Sequence, residues 1–123
     1  MRFMIIRKAD RNTEAEAKPG NDVFAAMDRY NQEMMSAGVF LDGVGLRHSA
    51  KGARVRFRNG KPTVTDGPFT ETKELIAGFT MIQVQSREEA MEWVKRWPPE
   101  DGDVELEIRQ VFELEDLQRL FGL

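Results

Sequence analysis

Cysteine is absent from this chain. That excludes a disulfide framework, a thiol nucleophile and any cysteine-ligated zinc or iron–sulfur centre. Histidine occurs once, at His48, so no histidine cluster can hold a metal. No run approaches the roughly 20 apolar residues that a membrane-spanning helix requires. The opening Arg2-Phe3-Met4-Ile5-Ile6-Arg7 is apolar for only four residues before charge returns, too short for the core of a secretory signal. It reads as a strand, and the protein as cytoplasmic. Glycine-rich phosphate loops and serine-elbow motifs are also missing, and neither a metal nor a cofactor is expected.

What is present describes one ordinary folding unit spanning residues 1–123. Its 41% apolar and 32% charged residues can build a single core. A formal charge of −3 argues against a dedicated nucleic-acid binder. The charge is uneven: residues 1–60 carry +4 and residues 61–123 carry −7. Two oppositely charged parts suit self-pairing in a two-fold dimer, or simply two independently solvated faces.

Along the chain, residues 2–7 predict a strand, and polar residues 9–20 a loop ending in Pro19-Gly20. Asn21 or Asp22 can cap a helix whose buried stripe is Val23, Met27, Tyr30 and Met34 and whose end is marked by Gly38. Residues 39–46 form a second strand, interrupted by Gly43 and Gly45, where glycine signals a bulge or a close backbone approach. Residues 53–65 predict a hairpin turning at Asn59-Gly60, with Pro62 placing the return arm at an edge. A strand over 77–84 follows, then a helix opened by Ser86 and Glu89 as a capping box and stopped by Pro98-Pro99. Val104, Leu106 and Ile108 alternate with charge in a last strand, and residues 113–121 form an amphipathic tail helix. This β-α-β-hairpin-β-α-β order predicts an α+β protein with two helices on one face of an antiparallel sheet. The other face, apolar in places, then calls for a second subunit.

The densest information lies in Asp66-Gly67-Pro68-Phe69-Thr70-Glu71-Thr72-Lys73-Glu74. Asp66-Gly67 suits a turn, Pro68 fixes φ, Phe69 can anchor the loop, and Thr70 can cap a helical turn reaching Lys73. The plainer reading is a specialised connector between hairpin and strand. The functional reading makes Asp66 or Glu71 a general base or ligand anchor, with Lys73 supplying positive charge. His48 is the second acid–base candidate, although a lone histidine at a strand end is more often an ordinary surface residue. Asp42 and Arg47 complete the candidate ligand-binding set with Phe69, Glu71 and Lys73. Arg54, Arg56 and Arg58 share one face of a strand, read as a charged edge that resists aggregation ahead of a nucleic-acid stripe.

The motif resembles the signature of the DGPF group of YCII-related proteins. The likeness extends through Arg2–Ile6, Met35-Ser36-Ala37-Gly38-Val39-Phe40, Asp42–Leu46, Gly78-Phe79 and Glu89–Trp93. It implies a ferredoxin-like domain, βαββαβ with the hairpin inserted, that pairs as a homodimer into an α/β barrel enclosing a cleft for a small polar ligand. It also implies, in the wider superfamily, an acid–base pair of a helix-borne histidine and an aspartate. In this chain the matching helix offers Met27 and Tyr30 and no histidine. Some group members stand beside, or are fused to, extracytoplasmic-function sigma factors. The resemblance therefore implies, as the alternative, a non-catalytic interaction module with a sigma-factor partner; such a module predicts an exposed apolar patch, read here from Leu114, Leu117 and Phe121 of the tail helix.

Overall fold

The computed structural model describes residues 1–123. Its elements are β1 (Arg2–Lys8), α1 (Arg11–Glu14), α2 (Asn21–Ser36), β2 (Phe40–Gly45), β3 (Ala53–Arg58), β4 (Lys61–Asp66), β5 (Ile76–Gln83), α3 (Arg87–Lys95), β6 (Leu106–Gln110) and α4 (Leu114–Phe121). Strands β2-β5-β1-β6 form one antiparallel sheet in that order, and β3–β4 pair separately. With the hairpin set aside, the order is that of a ferredoxin-like α+β fold, in agreement with the sequence reading.

One face of the sheet carries the core. Phe3 and Ile5 of β1 and Ile82 of β5 are buried with Tyr30 and Met34 of α2 and with Ala90 and Trp93 of α3. The Tyr30 hydroxyl donates to the Trp93 carbonyl at 2.5 Å, and burial pushes its phenol up to about 12. On the opposite face alternate residues Met4, Ile6, Phe79 and Met81 are only half-buried, and Val44 is exposed. No helix is long and apolar enough to cross a membrane.

Local signals account for most element ends. Gly38 takes φ +72° after α2, and the β3–β4 turn places Asn59 and Gly60 at φ +51° and +76°. Ser86 accepts a hydrogen bond from the Glu89 N–H, but the Glu89 carboxylate reaches the Gln85 N–H rather than that of Ser86. Further details differ from the sequence reading, among them β6, which begins at Leu106 and leaves Val104 outside it. Residues 9–20 contain a short helix, α1, because Asp10 and Thr13 cap each other's backbone. Helix α2 begins at Asn21 itself, behind Gly20, without a side-chain cap. The turn after the Asp66 motif is a 3-10 turn over Thr72–Glu74 entered from Glu71, and Thr70 contributes only its carbonyl.

Candidate functional site

The registers of the sheet set three rows of residues side by side on the helix-covered face. In strand order β6-β1-β5-β2 they read Gln110-Phe3-Ile82-Phe40, then Ile108-Ile5-Thr80-Gly43, then Leu106-Arg7-Gly78-Gly45. Side-chain volume falls away toward one corner, where Gly43, Gly45 and Gly78 leave bare backbone. A cavity of about 680 Å³ fills this corner, within the range of small-molecule sites. Helix α2 forms the opposite wall with Phe24, Met27 and Asn31; Phe24 is 67% exposed, an unusual position for a phenylalanine without a partner. The glycines differ in what they permit. A Cβ on Gly78 would lie 2.5 Å from the Val44 carbonyl oxygen, whereas one on Gly45 would meet nothing within 4 Å.

One end of the cavity is lined by a polar network. Arg7 Nε and one terminal nitrogen donate to the two oxygens of Asp101 at 3.2 Å each. Its other terminal nitrogen donates to Asp10 at 2.9 Å and to the Lys8 carbonyl at 2.8 Å. Trp97 Nε1 donates to Asp101 at 2.9 Å. The Arg7 and Asp101 side chains are only 13% and 16% exposed, so this pair is held in place rather than waving in solvent. Burial works against the charged guanidinium, but the hydrogen bonds it donates to Asp101 and Asp10 outweigh it and raise its pKa.

The other end is framed by the loop after β2. Arg47 lines the cavity and forms a forked pair with Glu16 at 2.7 and 3.1 Å; the His48 N–H donates to the same carboxylate. The Arg47 hydrogen bonds, then the His48 N–H, hold Glu16 down to about 2. Glu14 accepts from the Ser49 N–H and hydroxyl. Glu14 at the end of α1 and Glu16 just beyond it thus clamp residues 47–49 against the cavity rim.

Of the residues singled out in the sequence, the structure brings Arg47 to the cavity. His48 is half-buried beside Glu16, 3.9 Å from Nε2 to the carboxylate, and outside the lining. Asp42 points one oxygen at the Gly43 N–H and is exposed. Asp66, Glu71 and Lys73 are exposed and line no part of the cavity. The Asp66 motif grips the loop instead. The Gly67 N–H donates to Gly52, the Phe69 N–H donates to Ser49 Oγ, and a Cβ on Gly67 would lie 1.9 Å from the Ser49 carbonyl oxygen. Phe69, half-buried, lies under the Arg54 guanidinium at 3.8 Å, a cation–π contact. Arg7, Asp101, Trp97, Phe24 and Asn31 were not anticipated as site residues. The signal that could have found the corner is the Gly43/Gly45 pair, which marked a close backbone approach.

Comparison with known proteins places the chain among relatives. A model of the YCII-related domain matches residues 1–115. An uncharacterized protein of Rhizobium meliloti is 30% identical over 82 residues, which cover 67% of this chain and 63% of that protein's length. Among solved structures, 5-chloro-2-hydroxyhydroquinone dehydrochlorinase from Burkholderia phenoliruptrix, in complex with 2,5-dihydroxybenzoquinone, superposes with a TM-score of 0.51. It shares 17% identity and covers 94% of this chain and 97% of its own.

Proposed function

Because the chain belongs to the YCII-related family, we propose that it is a homodimeric protein that binds a small, ring-bearing polar molecule between α2 and the glycine corner of the sheet. The observation that carries this reading is the cavity itself. Three glycines empty the ends of two neighbouring strands, and two arginine–carboxylate pairs hold the open volume between them. A flat floor of peptide backbone facing Phe24 and Met27 suits a planar ring. Asn31, Thr13 and the Asp101 carboxylate supply hydrogen-bonding groups around it. The bound quinone of the dehydrochlorinase neighbour suggests the first probes. Chemistry in such a cleft would have to work without the helix-borne histidine, since Met27 stands on the cavity wall and Tyr30 is buried with its proton held.

In this reading the finer kinship to the DGPF group rests on the Asp66–Glu74 run, and that run acts as a brace. It holds the Arg47–Gly52 loop in place; Asp66 and Lys73 face solvent. The second subunit would cover the half-buried Met4, Ile6, Phe79 and Met81 on the far side of the sheet, sheet against sheet.

The test is Gly45→Val. Gly45 lines the cavity, and a Cβ there would meet nothing within 4 Å. Calorimetric titration with hydroquinone and 2,5-dihydroxybenzoquinone should show binding to the native protein, at least about tenfold weaker binding to the variant, and an unchanged melting temperature. Equal binding by both proteins, or none by the native one, would remove the cleft from consideration.

A second reading, an interaction module, has its own observation. Leu114 and Phe121 of α4 are exposed, Phe121 at 60%, on a helix with a clear apolar side; Leu117, expected with them, is half-buried, and Leu120 is exposed in addition. Deleting residues 113–123 should then abolish capture of a partner such as a sigma factor; capture that survives the deletion counts against it.

A further inference from the structure

We infer that the ligand of this cleft carries a cationic or neutral arm and that anions are excluded, which rests on the ring-binding reading above. Arginines in a cavity ordinarily suggest a carboxylate or phosphate ligand. Here both are already engaged in forked pairs on the same walls: Arg7 with Asp101 and Asp10, and Arg47 with Glu16. At Arg7, whose three nitrogens are all engaged, an incoming anion would have to displace a resident carboxylate, and at Arg47 it would lie beside the Glu16 charge. Asp101, by contrast, keeps accepting capacity. Its Oδ2 takes two hydrogen bonds, from Arg7 and Trp97, and its Oδ1 takes one. A carboxylate oxygen can accept two, so Oδ1 has room for a donor from the ligand.

This pair also separates the cavity from a neighbour. On its other side lies a second chamber of about 450 Å³, and Arg7, Thr13 and Asp101 line both. Its charged residues are four carboxylates, Asp10, Glu100, Asp101 and Asp103, against two cations, Arg7 and Lys18. Like charge brought beside such a wall is repelled and opposite charge is drawn in. A ring seated on the glycines, with a short arm ending in an ammonium group that reaches past Asp101, fits both chambers. An arylalkylamine has this form.

Three probes sharing one ring separate the possibilities: hydroquinone, tyramine and 4-hydroxyphenylacetate, titrated into the full-length protein. The expected result is tyramine binding at least about tenfold more tightly than 4-hydroxyphenylacetate. Glu100 and Asp103 are exposed and their side chains take part in no hydrogen bond or ion pair. The Glu100→Gln/Asp103→Asn double variant should therefore weaken tyramine about two- to fivefold and leave hydroquinone unchanged. If hydroquinone binds but the amine and the acid bind alike, or the acid binds better, the charge assignment is overturned while the cleft stands. A double variant that binds tyramine as the native protein does would overturn the role of the second chamber. If none of the three binds, the cleft reading falls with it.

Discussion

Glu16 shows how one side chain can be both strained and anchored. It adopts φ +49°, a conformation side chains rarely take, and its carboxylate is fixed by Arg47 and the His48 N–H. Those hydrogen bonds lower its pKa from 4.5 to about 2. A depressed carboxylate contributes stability above its unfolded pKa and loses it as the pH falls through the folded one. The Glu16 contribution should therefore be complete above about pH 4.5 and vanish toward pH 2. Chemical denaturation across that window should find the native protein losing more stability than Glu16→Gln; parallel curves would show that the clamp does not act in this way. Gly67 offers a second residue-scale test. Its missing Cβ would overlap the Ser49 carbonyl, so Gly67→Ala should cost roughly 1–3 kcal/mol in urea unfolding, while Gly45→Ala, with open space, should cost far less. Arg47 was legible in the sequence as a ligand-binding candidate. Arg7 and Asp101 were not, because their pairing spans 94 positions and neither neighbourhood hints at the other.

At the scale of elements, strong local chemistry could be read directly. Asn59-Gly60 fixes the hairpin turn, and Ser86 caps α3 by accepting from the Glu89 N–H at 3.1 Å. Ser86→Ala should remove that bond and lower stability by about 1 kcal/mol in thermal or urea unfolding, without touching ligand binding. Helix α1 escaped the sequence reading because it is a single turn of polar residues with no buried stripe. Its cap lies in the Asp10–Thr13 exchange rather than in periodicity. The Asp66 motif was legible as a turn and as an unusual feature, but not in what it touches. Its partners, Ser49 and Gly52, belong to a loop whose position only the tertiary fold determines.

For the whole molecule, hydrophobic alternation and helix order were enough to predict the sheet with both helices on one side. The cavity was not predictable in the same way, since it arises where the registers of β2 and β5 bring Gly45 opposite Gly78. The far side of the sheet leads to the proposal of self-association. Met81→Lys sits at its centre opposite Met4 and has a stem long enough to carry its charge into water. It should convert a dimer to a monomer in sedimentation velocity; a native protein that already sediments as a monomer would contradict the pairing. The central claim is that ligand binds at the glycine corner while the Asp66 motif serves as a brace. It is tested most directly by titrating hydroquinone into uniformly ¹⁵N-labelled protein and following amide shifts. Saturable shifts are expected at Gly43, Gly45, Gly78 and the Trp97 indole. Shifts confined to Asp66–Glu74, with the glycine corner silent, would contradict the claim.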